Sequence, residues 1–253
     1  MLGAIIGDII GSRFEFGGKN LSNFKLFTSE CSFTDDTICT IAIAEALTTN
    51  MDYKECLLKW CKKYPYPMGG YGSRLNKWLG STDNKPYDSW GNGSAMRVSP
   101  IGWAFDSLAK TEKEAERSAK PTHSHPEGIK GAKCVAMLIY KLRKREILKE
   151  EIADWVNKMF EYELPLLENA SGVGETCMET VPQAIACFLE ANNFENTIRN
   201  AIVLGGDTDT TGAIAGAIAE AYYTIPKEIK EQALKYLPFE MKSVIAEFFA
   251  KFR

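Results

Sequence analysis

Glycine recurs at every fourth position of the apolar opening segment, at Gly3, Gly7 and Gly11. On a helix this spacing clears one face of side chains, and each glycine weakens the helix by about 1 kcal/mol relative to alanine. Such a helix persists only where a second backbone packs against the bare face or a neighbouring site compensates. The small-residue stretch Gly212-Ala213-Ile214-Ala215-Gly216-Ala217-Ile218-Ala219 has the same character and is expected to lie centrally in the fold.

Elsewhere the apolar residues also follow a helical period. Ile38, Ile41, Ala42 and Ala46 share a face, as do Ile152, Trp155, Val156, Met159 and Phe160. The longest stripe runs Met241, Val244, Ile245, Phe248, Phe249, Phe252. Each predicts an amphipathic helix with one buried side. Only Asn23 to Thr28 suggests a strand. Glycine, proline, serine and asparagine gather in Tyr64 to Ser73, Gly80 to Ser94 and Glu168 to Gly174, which are too short to be linkers and read as loops within a domain. No internal repeat is present. The expectation is one compact all-α domain spanning residues 1–253, with glycine-rich loops converging on a site.

Composition narrows the function. With 45% hydrophobic and 25% charged residues and a net charge of −3, the chain is an ordinary globular protein without a long basic run. A phosphate-neutralising nucleic-acid binder is not expected, although a small basic patch stays open. No apolar stretch approaches the roughly 18 to 20 residues that span a bilayer. The opening residues lack a basic region and place Asp8 where an export signal is apolar. The seven cysteines are odd in number and contain no C-x-x-C pair, so neither a disulfide framework nor a thiolate zinc site is expected. A reduced, cytoplasmic setting without membrane contact follows as an expectation.

Two acidic clusters carry the chemistry. Thr34-Asp35-Asp36-Thr37 precedes an apolar helix; by itself this is an N-cap with acids at the positive end of the dipole. Gly205-Gly206-Asp207-Thr208-Asp209-Thr210 opens the small-residue helix. Two residues apart, Asp207 and Asp209 point to nearly opposite sides of a regular helix. They face one target only if Asp207 lies on the glycine turn and Asp209 in the first helical turn. Should the clusters meet, their carboxylates repel unless cations intervene, and two divalent ions balance Asp35, Asp36, Asp207 and Asp209. Carboxylate and hydroxyl oxygens suit Mg²⁺ or Mn²⁺ better than zinc. Glu15, between Phe14 and Phe16, reads either as a surface acid with buried neighbours or as a partly desolvated general base.

Further motifs fall in order along the chain: Gly3-Ala4-Ile5-Ile6-Gly7-Asp8, Gly70-Tyr71-Gly72, Ser89-Trp90-Gly91-Asn92-Gly93 with Ala95-Met96-Arg97, Thr122-His123, and Glu179-Thr180-Val181-Pro182. Together with the acidic clusters they resemble the ADP-ribosylglycohydrolase family, which includes the dinitrogenase reductase-activating glycohydrolase and the ADP-ribosylarginine and ADP-ribosylserine hydrolases. The resemblance runs from Gly3 to about Tyr223. It implies an all-α fold with a binuclear Mg²⁺ or Mn²⁺ centre held by Thr34, Asp35, Asp36, Asp207, Asp209 and Thr210. It places Glu15 where some members have a gating glutamate that moves protons, with Asp36 and Asp209 beside it in catalysis. Gly70 and Gly72, and the loop Ser89, Trp90, Gly91, Asn92 and Gly93, match segments that cradle the diphosphate and distal ribose, where backbone N–H groups reach phosphate unobstructed. His123 matches an ADP-ribose contact. His125 reads as structural, and Trp90 either flanks the ribose or packs as a buried indole.

The reaction so implied is hydrolysis of the C1″ bond between ADP-ribose and an acceptor, with oxocarbenium-like charge on the ribose. The substrate is then an ADP-ribosylated protein or small molecule and the product ADP-ribose. Arginine is the expected acceptor; serine, O-acetyl, guanidine and nucleobase linkages stay open. A binding module without catalysis and a metal-dependent phosphohydrolase are the competing classes.

Overall fold

The computed structural model describes residues 1–17, 23–170, 172 and 174–252. Its α-helices are α1 (Leu2–Gly11), α2 (Asp35–Thr49), α3 (Tyr53–Lys63), α4 (Ser73–Leu79), α5 (Gly93–Met96), α6 (Ser99–Ala104) and α7 (Leu108–Ala119). They continue with α8 (Pro126–Arg143), α9 (Ile152–Phe160), α10 (Cys177–Leu189), α11 (Phe194–Val203), α12 (Thr208–Tyr222), α13 (Lys227–Ala233) and α14 (Phe239–Phe252). Among the described residues there is no β-sheet, only isolated bridges such as Gly17 with Gly206. The expected all-α class is what the chain adopts.

The glycine spacing finds its reason in α12. The two helices run antiparallel with backbones touching: a Cβ on Gly3 would overlap the Gly216 carbonyl, one on Gly7 the Gly212 carbonyl, and one on Gly11 the Thr208 carbonyl. All ten residues of α1 are buried. Ile5, Ile6, Ile9 and Ile10 are fully buried and contribute on the order of 2 kcal/mol each, which outweighs the roughly 1 kcal/mol lost at each glycine. The pairing brings the C-terminal end of α1 beside the first turn of α12, and α2 starts in the same place.

Side-chain caps set several other helix starts, among them Thr34 on α2, Asp52 on α3, Ser107 on α7 and Thr176 on α10. The stripe of α14 is buried at Met241, Val244, Ile245 and Phe248, with Phe249 and Phe252 partly covered. On α9, Ile152, Val156 and Phe160 are buried as expected, but Met159 is exposed; the helix ends one residue later, at the margin of the contact.

The expected strand at Asn23 to Thr28 does not form. Its carbonyls are taken by side chains instead of a neighbouring strand: Arg13 donates to the Lys25 carbonyl at 2.7 Å, Arg199 to that of Phe24 at 2.8 Å, and Tyr236 to that of Thr28 at 2.9 Å. The loops at 64–73 and 80–94 lie where the composition put them, apart from the helix starts at Ser73 and Gly93. The one at 168–174 begins within a short 3₁₀ turn, and its positions 171 and 173 lie outside the described residues. All seven cysteines are buried and free. No helix among the described residues is long and apolar enough to cross a membrane.

Candidate active site

Asp8 organises the first acidic cluster. It is fully buried on α1, and its carboxylate accepts hydrogen bonds from the Thr34 amide at 3.1 Å, the Thr34 hydroxyl at 2.8 Å, the Thr37 amide at 3.0 Å and the Thr37 hydroxyl. One acid thus satisfies the exposed donors at the N-terminus of α2 and fixes where Asp35 and Asp36 emerge. Burial raises its carboxyl to about 6, against the opposing pull of these hydrogen bonds.

The second cluster takes the form its glycines predict. Gly205 and Gly206 have φ of 76° and 75°, a left-handed turn open to glycine. Asp207 precedes α12 and Asp209 lies in its first turn. The Gly206 carbonyl accepts from the Phe16 amide at 2.7 Å, and the Gly206 amide donates to the Gly17 carbonyl at 3.1 Å. This bridge ties the turn to the segment carrying Glu15.

The two clusters meet. Thr210 Oγ1 donates to Asp36 Oδ2 at 3.2 Å, and Asp209 Oδ1 accepts from the Thr210 amide at 2.9 Å. Asp207 Oδ2 accepts from Asn92 Nδ2 at 2.7 Å, which brings the 89–93 loop into the same wall. Burial, then the charges of neighbouring acids, raise Asp36 and Asp209 well above the usual carboxylate range; Asp35 is raised by burial and then by Cys39, Asp8 and Asp207. Asp36 Oδ1 is buried without a hydrogen-bond partner.

These residues open on a cavity of about 590 Å³. Its wall includes the expected Glu15, Asp35, Asp36, Gly70, Gly72, Ser89, Trp90, Gly91, Asn92, Gly93, His123, Asp207, Asp209 and Thr210. Thr34 departs from expectation: it is fully buried behind that wall, bonded to Asp8 and capping α2. Among the described residues, no group of three or more His, Cys, Asp or Glu side chains forms a metal cage. The converging donors are instead carboxylates interleaved with the Thr210 hydroxyl. Their chemistry fits a hard cation on two counts: Asp36 Oδ1 lacks a donor, and no Lys, Arg or His among the described residues forms an ion pair with this group of acids.

Glu15 stands at one side of the cavity, half-buried. Its carboxyl is pushed up to about 7 by burial and then by Asp207, Asp8 and Glu175. Gly69, at φ 75°, makes room for it: a Cβ there would fall on Glu15 Oε2. Gly70 also has positive φ, and a Cβ on Gly70 or Gly72 would meet nothing within 4 Å, so their backbones face open space.

The 89–93 loop curves over His123. Ser89 Oγ accepts from the Gly91 amide at 3.1 Å, and a Cβ on Gly93 would sit 3.1 Å from the His123 ring. His123 is held neutral, its pKa lowered well below the usual range by burial and then by Arg97 and Arg74. His125 caps α8 by accepting from the Glu127 amide at 3.1 Å, the structural role expected of it. Trp90 is 39% exposed, so the buried-indole reading fails; its ring lies against His125 at 5.4 Å and beneath the Arg74 guanidinium at 4.7 Å. Sequence reasoning gave no role to Asp8, Arg74, Arg97, Tyr87 or Glu175. A lone acid within the apolar run Leu2 to Gly11 was the available signal for the first.

The ADP-ribosylglycohydrolase family pattern matches residues 1–252. The chain is 28% identical to the zebrafish (Danio rerio) ADP-ribosylhydrolase ARH3, covering 89% of this chain and 82% of the relative. It is 25% identical to the ADP-ribosyl-[dinitrogen reductase] glycohydrolase of Rhodospirillum rubrum, covering 88% and 84%. A solved structure described as an ADP-ribosylglycohydrolase-related protein complex superposes with a TM-score of 0.72 at 24% identity, covering 100% of this chain and 97% of that one. That likeness speaks to the fold.

Proposed function

Since the chain belongs to the ADP-ribosylglycohydrolase family, we propose that it hydrolyses the bond between C1″ of ADP-ribose and the guanidino group of an ADP-ribosylated arginine. The observation that carries this reading is the meeting of two acidic helix starts in one cleft whose other walls are glycine-rich loops. We propose a cytoplasmic setting, with ADP-ribosylated protein or small-molecule substrates.

Asp35, Asp36, Asp207, Asp209 and Thr210 would hold two divalent cations, Mg²⁺ or Mn²⁺. Bound there, such ions neutralise clustered charge, orient sugar hydroxyls and acidify water. The chain supplies the rest. Glu15, half-buried on the cavity wall, accepts a proton from the attacking water as the water oxygen bonds to C1″. The C1″–N bond breaks, and the proton passes to the departing guanidine nitrogen, releasing ADP-ribose and free arginine. Glu15 and Glu175, both on the cavity wall, present negative charge suited to a guanidinium acceptor.

A panel of arginine-, guanidine-, serine-, O-acetyl- and nucleobase-linked ADP-ribose, assayed with Mg²⁺ and with Mn²⁺, tests the proposal. Release of ADP-ribose from the arginine linkage is expected. Release of AMP indicates a phosphohydrolase, and tight binding without turnover indicates a binding module.

A further inference from the structure

The cleft wall also includes two arginines, Arg74 and Arg97, neither with a carboxylate partner among the described residues. Arg97 is 1% exposed; it donates to the Ser118 carbonyl at 3.1 Å and the Thr122 hydroxyl at 2.8 Å, and its Nε is buried without a partner. Arg74, at the start of α4, is exposed and yet tethered: its guanidinium lies 4.7 Å above the Trp90 ring and donates to the Asp88 carbonyl at 3.2 Å. The Asp88 backbone is in turn bridged to that of His123. Arg97 is bonded to Thr122, next to His123, and Arg74 to Asp88, whose backbone is bridged to His123, so the two arginines converge on one part of the wall.

We infer that Arg74, held over the Trp90 ring, is the residue by which the cleft selects diphosphate-bearing substrates. The inference rests on the ADP-ribose reading above. An arginine without a carboxylate partner keeps donors free for phosphate, because a single carbonyl occupies only part of its five-donor fork. Stacking on an indole restrains the side chain before the ligand arrives, which lowers the ordering cost of binding. Arg97 is enclosed, and Arg74 is the exposed one that meets the ligand.

The test compares wild type with Arg74→Ala, Arg74→Lys and Trp90→Leu, using an exposed arginine off the cavity wall, Arg145→Ala, as the charge control. ADP-ribose, inorganic pyrophosphate and adenosine are titrated calorimetrically, and kcat and KM are measured on the substrate that wild type cleaves. Arg74→Ala is expected to weaken ADP-ribose and pyrophosphate binding about tenfold or more, to leave adenosine binding unchanged, and to raise KM much more than it lowers kcat. Arg74→Lys restores part of the loss, Trp90→Leu shows a smaller loss of the same kind, and Arg145→Ala shows none. Wild-type ADP-ribose affinity in Arg74→Ala, or an equal loss in Arg145→Ala, overturns the inference while wild-type hydrolysis still upholds the glycohydrolase reading. A wild-type protein that neither binds ADP-ribose nor releases it overturns both.

Discussion

Thr210 and Asp36, 174 residues apart in sequence, share a hydrogen bond of 3.2 Å at the floor of the cleft. That one contact places the carboxylates of both helix starts in a common buried volume without a cationic side chain to offset them. Asp36→Asn and Asp209→Asn are therefore expected to lower kcat about a hundred- to a thousandfold. In EDTA their Tm stays equal to or above that of wild type, because a repulsive charge is gone, and the rise in Tm that Mn²⁺ or Mg²⁺ gives wild type is lost. Full activity of the wild-type enzyme in EDTA removes the metal assignment.

Glu15 gives the pH dependence. Its carboxyl titrates at about 7 in the folded protein against an ordinary value of 4.5, so its contribution to stability is fully present below about pH 4.5 and is lost as pH rises through about 7. Asp8, raised to about 6, acts in the same direction. Thermal scans in EDTA are expected to show the wild-type Tm falling between pH 5 and pH 8, with a smaller fall in Glu15→Gln. Parallel curves contradict this. The same variant is expected to lose on the order of a hundredfold in kcat while retaining ADP-ribose affinity, as measured by calorimetry.

Asp8 holds the start of α2 through two amides and two hydroxyls. Asp8→Ala leaves those donors buried without an acceptor, at a cost of about 2 to 3 kcal/mol in urea unfolding at pH 5. At pH 8 the loss is smaller, since removing a buried charge offsets it. With Asp35 and Asp36 no longer oriented, divalent-ion affinity is expected to fall about 10- to 100-fold; unchanged affinity in a folded variant counts against the role.

Gly69 makes a separable claim. A methyl group at this position meets the Glu15 carboxylate, and the φ of 75° disfavours any other residue. Gly69→Ala is expected to lower kcat at least tenfold with a stability loss of only about 1 kcal/mol, and to shift the pH profile of turnover. A variant that loses stability but keeps both kcat and its pH profile shows the glycine to be structural.

Much of the site was legible because its chemistry is concentrated at helix starts. Acid-rich caps before apolar helices, and two glycines ahead of Asp207, announce local geometry without any knowledge of the partner. The contacts between those pieces are different in kind. Nothing near Glu15 points to Gly69, and nothing near Thr34 shows that it lies behind the wall instead of on it. Phe24 and Leu26 read as strand residues because local pattern favours it, yet Arg13 and Arg199 take the backbone carbonyls around them. Asp8 was visible in the sequence and unassigned. A carboxylate inside a helix buried on all sides must be answered by donors, and that argument needs no structure. Trp90 was named from sequence, but its surroundings of Arg74 and His125 arise only when α4 and α8 are brought to one loop.

The bare faces of α1 and α12 have a consequence beyond packing. Where side chains interlock, a small substitution can be absorbed by a rotamer change; where carbonyl rests on Cα, there is nothing to rearrange. The seam thus works as a vernier, each glycine locking the next, and a slip of one residue along it carries Asp8 about 1.5 Å down its axis and twists it out of line with Thr34. The catalytic alignment at one end is held by the least chemically distinctive residues in the chain.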